Sequence, residues 1–339
     1  MVEIVSKTLR NCYYRKLTYE NLYNAYLRAC NNKGAKANVI RFGIDLETNL
    51  ASIYDCLYNN RYKPSNYREF VIYEPKERLI KSLPFRDRVI HQWYVEEFIK
   101  PYIVPRFIKD TYACIVNRGV HEAARTLQNY MRKMKCKYGD YYIIKFDISK
   151  YFYSISKDVL FEIMSKYISD KYLLNLTKSI IYDNVEYGLP IGNYTSQYFA
   201  NIYLSELDYY VKFDLKIKYY CRYMDDFVIL VSDKGRARGV FCLIENFVNN
   251  KLKLKLNRKS RYYPSKFGCD FCGYVIYEEY KKLRKRSIKE MKKKIKLWED
   301  GKVGYESVLA SFVSWKGHAS HCDSKRIVCE FEKKLKTYN

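Results

Sequence analysis

A chain of 339 residues, 48% of them hydrophobic, can bury a sizeable core; this excludes a disordered protein and allows one large domain or two to three subdomains. Lys and Arg outnumber Asp and Glu by 62 to 37, and a net charge of +25 favours a polyanionic partner, because each neutralised phosphate releases condensed counterions. Compositional bias explains part of the 38 tyrosines and the many lysines, but such bias would also supply Asp and Glu, and these lag behind.

No apolar run approaches the roughly 20 residues of a membrane span. The first residues, MVEIVSKTLRNCYYRK, carry charges where an export signal needs an apolar stretch, so a cytoplasmic location is expected. The 11 cysteines are scattered and odd in number, which excludes a disulfide framework. Cys269 and Cys272 have CxxC spacing without a second pair, and the residues around them read as a strand. The histidines His91, His121, His318 and His321 form no HNH-like or zinc pattern.

In chain order, TYENLYNAYLRAC predicts a helix over 18–30, capped by Thr18, with Leu22, Tyr26 and Ala29 at helical spacing. YREFVIY at 67–73 alternates like a strand, and a helix is expected over 86–99 with Val89, Trp93 and Phe98 inward. YYIIKFD at 141–147 is an apolar, β-branched run that ends in an aspartate. Ser156 then caps a helix with Leu160, Ile163, Met164 and Tyr167 on one face. The loop YGLPIGN at 187–193 leads into a helix with Phe199, Ile202 and Leu207 inward. YYCRYMDDFVILV at 219–231 reads as two strands joined at Asp225-Asp226. From Lys281 a basic amphipathic helix is expected, its apolar side formed by Ile288, Met291, Ile295 and Trp298.

Asp147, Asp225 and Asp226 carry the chemistry. A charge at the end of an apolar strand is costly unless paired. Asp-Asp also breaks the preference of a two-residue hairpin turn for Asn-Gly or Asp-Gly. Packed together, the three carboxylates would repel, and a divalent cation removes that conflict. Mg²⁺ takes hard oxygen ligands and only a few from protein. Two such ions can activate a hydroxyl and stabilise the leaving pyrophosphate of a nucleotide.

Tyr223-Met224-Asp225-Asp226 resembles the YxDD box of reverse transcriptases, and Lys145-Phe146-Asp147-Ile148-Ser149-Lys150-Tyr151-Phe152 resembles their first carboxylate motif. The resemblance implies two Mg²⁺ ions, with Mn²⁺ as a substitute, at Asp147, Ile148, Asp225 and Asp226. It makes Phe152 a steric gate against the ribose 2′-hydroxyl. Glu74-Pro75-Lys76-Glu77-Arg78 looks like the segment whose Lys76 and Arg78 contact the triphosphate. GLPIGNYTSQ at 188–197, with Ile191, Gly192 and Gln197, looks like the loop against the nascent base pair, and Lys259 matches a lysine near the pyrophosphate. Phe271-Cys272-Gly273-Tyr274 resembles the primer grip. The implied fold is an α+β right-hand polymerase with fingers, a palm with an antiparallel sheet, and a helical thumb. Its regions are 1–118 (N-terminal and fingers), 119–280 (palm with part of the fingers) and 281–339 (basic helical thumb that tracks a duplex by its backbone).

Ile191 where most of the family has Gln, and Ser196-Gln197 in place of Ser-Pro, are similar to the enzymes of diversity-generating retroelements. So are YREFVIYEPKERLI at 67–80, Thr111-Tyr112-Ala113-Cys114 and Ser314-Trp315-Lys316-Gly317-His318-Ala319. This subgroup copies a template-repeat RNA into adenine-mutagenised cDNA for mutagenic retrohoming, in bacterial, archaeal or phage-infected cells. The implied partners are template RNA, the RNA/cDNA duplex, dNTPs and a small basic pentameric accessory variability protein. Nothing after the thumb reads as RNase H, endonuclease or maturase, so strand removal and target cleavage are expected from elsewhere. A retron or phage-defence reverse transcriptase would share the three aspartates but not the Ile191 pattern. A non-catalytic RNA-binding protein on the same scaffold would have no need to keep all three carboxylates with Lys76 and Arg78.

Overall fold

The computed structural model describes residues 8–73 and 77–336, which form two compact units. One comprises Met1–Lys109, Ile148–Tyr210 and Glu245–Leu256; the other comprises Asp110–Asp147, Val211–Ile244 and Asn257–Asn339. Among the described residues, no helix is long and apolar enough to cross a membrane.

The first unit is mainly helical. Thr18 caps the helix Tyr19–Cys30 by accepting from the Asn21 N–H at 3.1 Å, and Leu22, Ala25 and Ala29 are buried. Tyr26, at helical spacing with Leu22 and Ala29, is only half-buried, its ring stacked on Phe42. The helix Phe85–Tyr94 runs on as one π-helical turn, Val95–Ile99, and Val89, Trp93 and Phe98 are wholly buried. Strands β1 (Arg68–Ile72) and β2 (Arg78–Ser82) form an antiparallel ribbon with Ile72 opposite Arg78. The alternation of 67–73 therefore does not mark a core face: Phe70 and Val71 are both exposed.

The second unit is built on a four-stranded antiparallel sheet of order β4-β5-β3-β6: β3 (Tyr142–Asp147), β4 (Tyr220–Tyr223), β5 (Asp226–Val231) and β6 (Arg261–Pro264). The helix Val120–Tyr138 ends at Gly139, whose φ of +70° turns the chain into β3. Five consecutive buried residues in β5 fit its central place, covered on both faces. Leu127, Met131, Ile143, Val228 and Leu230 pack into one core with Phe271, Tyr274 and Ile276 of a second sheet. That sheet comprises β7 (Cys269–Phe271), β8 (Tyr274–Ile276) and β9 (Lys281–Leu283).

The basic segment after residue 280 departs from the expectation. Lys281–Leu283 is a strand, because Leu283 is buried against the core and pairs with Tyr274; the helix begins at Lys285. It packs with Tyr305–Ala319 and Lys325–Lys336 around Met291, Ile295, Phe312 and Phe331.

Candidate active site

All three aspartates lie in the second unit. Asp147 ends β3 and Asp226 begins β5, and the two are direct partners in the antiparallel register. Such partners hold their Cβ atoms about 4.5–5.5 Å apart. The hairpin that presents them is phased one residue earlier than the sequence suggests. Its turn residues are Met224 and Asp225, Tyr223 pairs with Asp226, and Asp226 belongs to the strand. Met224 has a φ of +54°, an unusual conformation for its type. The wholly buried Arg222 supports it by donating to the Met224 carbonyl at 3.1 Å.

Two further contacts fix this corner. The Asn257 N–H donates to the Asp147 carbonyl at 2.7 Å, and the Asp147 N–H donates to the Ser260 hydroxyl at 3.1 Å. This ties the 257–260 segment, with the exposed Lys259, to the end of β3. Lys145, two residues before Asp147 and so on the same face of β3, donates from its ammonium to Asp226 Oδ1. The same ammonium lies over the Phe271 ring, 4.8 Å from its centroid. Burial pushes the Asp226 carboxyl above the ordinary range; Lys145 opposes that push and Asp147 adds to it. Asp226 thus sits in a position that wants positive charge, which Lys145 supplies. Sequence reasoning missed Lys145, Arg222, Asn257 and Ser260.

The donor set is all oxygen: two carboxylates facing each other across adjacent strands and a third in the turn. That chemistry fits a hard divalent cation, which takes few protein ligands and keeps several waters. With the side chains as they stand, no group of three His, Cys, Asp or Glu residues among the described residues could hold a metal ion. Lys145 fills that role at Asp226. Ile148 is buried and its side chain has no donor atom, so only its carbonyl could contribute.

The remaining expected residues divide between the units. Lys76 lies outside the described residues. Arg78 begins β2 and is exposed. The Lys81 N–H donates to the Ile191 carbonyl at 2.9 Å, and the Leu189 N–H donates to the Phe152 carbonyl at 2.7 Å. The first unit therefore brings β2, Phe152 and the 188–197 loop together. Two glycines make this possible. A Cβ on Gly188 would collide with the Phe152 carbonyl oxygen, and one on Gly192 would lie 2.7 Å from that of Lys81. Both have positive φ, +69° and +128°. A cavity of about 280 Å³ opens there, lined by Leu79, Lys81, Tyr153, Tyr187, Pro190 and Ile191.

A buried polar network holds this loop from behind. His91 contacts Thr195 Oγ1 at 3.1 Å through Nδ1 and Tyr62 at 3.3 Å through Nε2, and Tyr62 donates to Asp87 at 3.0 Å. Asn193 donates to the Tyr67 hydroxyl at 2.7 Å, and Tyr67 donates to Asp183 at 2.5 Å. Gln197 sits half-buried in the first turn of the helix Tyr194–Tyr209.

In the second unit, Phe271 and Tyr274 face each other across the hairpin of β7 and β8. Cys272 and Gly273 form its turn, with φ of +52° and +91°. Positive φ at both positions is the primed geometry that closes a two-residue hairpin. Cys269 lies in a strand, as the sequence reading held, but the strand expected to run on through Cys272 is broken there by the turn. Burial pushes the Cys269 thiol up to about 12 and raises Cys272 as well, so neither is disposed to form a thiolate.

The sequence profile described as "Reverse transcriptase (RNA-dependent DNA polymerase)" matches residues 65–276. The chain belongs to this reverse transcriptase family. That membership makes it an enzyme, an RNA-directed DNA polymerase. Protein YkfC of Escherichia coli (strain K12) is 25% identical over 288 residues, 71% of this chain and 73% of that protein. Among solved structures, telomerase from Candida albicans, in complex with a TWJ fragment of telomeric RNA, matches 71% of this reverse transcriptase at 12% identity with a TM-score of 0.50. The match spans 52% of the telomerase chain, about half its length. This likeness bears out the expected right-hand polymerase fold.

Proposed function

We propose that this reverse transcriptase copies a template-repeat RNA into cDNA with errors opposite adenine, for mutagenic retrohoming of a target gene. The polymerase part of the reading is carried by the pairing of Asp147 with Asp226 across β3 and β5, with Asp225 in the adjoining turn. Two bound Mg²⁺ ions, or Mn²⁺ in their place, would activate the primer hydroxyl and stabilise the departing pyrophosphate. The three aspartates would hold these ions, with Asp226 released to them by Lys145, and Ser260 and Asn257 keep the end of β3 in place. Lys76, Arg78 and Lys259 bind triphosphate and pyrophosphate oxygens, and Phe152 excludes the 2′-hydroxyl by clash. The β7–β8 turn grips the primer end. The basic helices after residue 284 act as a thumb on the RNA/cDNA duplex.

The error-prone part of the reading is supported by Ile191, and its direction to adenine by the resemblance to the retroelement subgroup. The Ile191 loop is fixed by Lys81, Asn193 and Thr195, so the aliphatic side chain is presented in a set place with no hydrogen-bonding group. Where a Gln could hold template and base in register, Ile191 offers only packing, and discrimination should shrink by a few kcal/mol at most. A basic pentameric accessory protein that binds the template RNA is part of the proposal.

The test is primer extension on an RNA template containing all four bases, with dNTPs and Mg²⁺, followed by cDNA sequencing with and without the accessory protein. Wild type should yield cDNA with errors concentrated at template adenines. Asp226→Ala should abolish synthesis while RNA binding persists, and Ile191→Gln should reduce the adenine errors. Synthesis by Asp226→Ala would refute the carboxylate assignment. Accurate wild-type cDNA would move the enzyme to a retron or phage-defence lineage.

A further inference from the structure

Lys157, Asp183, Tyr67 and Asn193 form one hydrogen-bonded chain in the first unit, although they come from separate stretches of sequence. Lys157 opens the helix Lys157–Tyr167, Asp183 follows the helix Lys171–Ile181, Tyr67 precedes β1, and Asn193 precedes the helix Tyr194–Tyr209. The Lys157 ammonium donates to Asp183 Oδ1 at 2.7 Å and also to the Val185 carbonyl. The Val185 N–H donates to the same carboxylate oxygen at 3.2 Å. This ion pair is nearly sealed from water, with side-chain exposures of 10% and 2%. The other carboxylate oxygen, Oδ2, accepts from the Tyr67 hydroxyl at 2.5 Å.

Charge sets the direction of every bond in this chain. A carboxylate beside an ammonium is ionised and only accepts, so the single Tyr67 proton is committed to Asp183. Towards Asn193 the phenol oxygen can then only accept, and Asn193 presents its amide nitrogen to it at 2.7 Å. That use of Asn193 overrides a local preference. Asn is among the best N-cap residues, accepting from the N–H groups of the first turn, yet at this helix start its side chain makes no capping bond. It reaches instead to a residue 126 positions away. A local rule set aside for a distant contact is the mark of a position held for function.

The contact lies at the base of the β1–β2 ribbon. Tyr67 adjoins Arg68, whose partner is Ser82, and the neighbouring Lys81 N–H donates to the Ile191 carbonyl at 2.9 Å. The Ile191 loop is thus bonded to both sides of the ribbon at one end, to the residue before β1 and to β2 itself. Arg78 stands at the other end, opposite Ile72. At about 3.3 Å per residue, Ile72 lies roughly 16 Å along the strand from Tyr67, so a tilt of about 5° at the base moves the far end by more than about 1 Å. The base therefore sets where Arg78 stands.

We propose that Tyr67 is a positioning residue that couples the ribbon carrying Arg78 to the loop carrying Ile191, so that the two are placed together around the incoming nucleotide. The inference rests on the reading that Arg78 contacts the triphosphate and the Ile191 loop faces the nascent base pair. Lys157 and Asp183 fix the polarity of the chain, and Asn193 passes it to the loop. Without the Tyr67 hydroxyl, the Asn193 amide loses its acceptor; the loop keeps its bond to β2 but not to the start of β1. The binding-competent arrangement is then populated less of the time, which weakens apparent dNTP affinity in proportion. The aspartates, all in the second unit, are untouched.

The test is steady-state primer extension on an RNA template by the full chain, with dNTP KM and kcat read for wild type, Tyr67→Phe, Asn193→Ala and the double variant. Phe keeps the ring and removes the hydroxyl. Asn193→Ala leaves the Tyr67–Asp183 bond in place and has no capping bond to lose, so it isolates the loop contact. Each single variant should raise KM about 3- to 10-fold, the loss of one neutral hydrogen bond, with kcat within about twofold. The double variant should match Tyr67→Phe, because both changes remove the same bond. A tyrosine with a structural role alone would lower the melting temperature and leave KM at the wild-type value. If Tyr67→Phe does not fold, Asn193→Ala decides by the same KM and kcat criteria. An unchanged KM in a folded single variant overturns the inference, as do KM effects that multiply in the double variant or a kcat that falls as far as KM rises. Each of these leaves the polymerase reading standing. Absence of primer extension by wild type on any RNA template overturns both.

Discussion

Replacing Lys145 by Met keeps the hydrocarbon that packs on Phe271 and removes the ammonium from Asp226. The pair is largely shielded, with side-chain exposures of 17% and 28%. Removing one partner of a fully buried pair costs about 3–5 kcal/mol, because the other charge is left uncompensated. Partial solvent access reduces this, and about 2 kcal/mol is expected. If the second unit melts as one cooperative block, that corresponds to roughly 4–8 °C. The assay is thermal unfolding of Lys145→Met and wild type in metal-free buffer and in Mg²⁺. The variant should melt lower without metal and recover more on adding Mg²⁺, since a cation then replaces the missing ammonium. Equal melting temperatures without metal would refute the account of Asp226, and so would a deficit that Mg²⁺ does not narrow.

Two further predictions concern the first unit. Gly192→Ala places a Cβ 2.7 Å from the Lys81 carbonyl oxygen at a φ of +128°. It should lose about 1–3 kcal/mol by urea unfolding and weaken dNTP binding as the Ile191 loop shifts. His91 is held by burial at about 4, below its ordinary 6.5. The unfolded chain therefore binds the extra proton between these values, and stability is lost as pH falls from about 6.5 towards 4, by about 3 kcal/mol. His91→Gln should lack that component, seen as a flatter urea midpoint against pH; an unchanged slope would show that His91 is not the titrating group.

The strand-end aspartates were legible because β3 and β5 are short apolar runs whose ends are marked by charge. The phase of the hairpin was not: Tyr223-Met224-Asp225-Asp226 admits more than one turn, and the buried Arg222 that supports Met224 is visible only once folded. Lys145 sits in an otherwise apolar run, where sequence suggests only a tolerated charge. Lys281–Leu283 looked helical because basic residues follow without a break, yet long-range pairing with β8 decides its form. The bond from Tyr67 to Asp183 unites residues 116 positions apart, and no local pattern encodes such a meeting. The loop around Ile191 was readable as a motif, but the polar network of His91, Tyr62 and Asp87 behind it was not.

The order of strands in the main sheet also bears on how the chain is made. β3 leaves the ribosome about eighty residues before β5, its partner, and still longer before β6. Until then the run YYIIKF has no ladder to join, and an apolar, β-branched segment in that state invites pairing with other chains. Lys145 is the one charge within that run. The residue that later neutralises Asp226 is thus also a gatekeeper for the nascent polypeptide, and substituting it should lower soluble yield before it alters any rate.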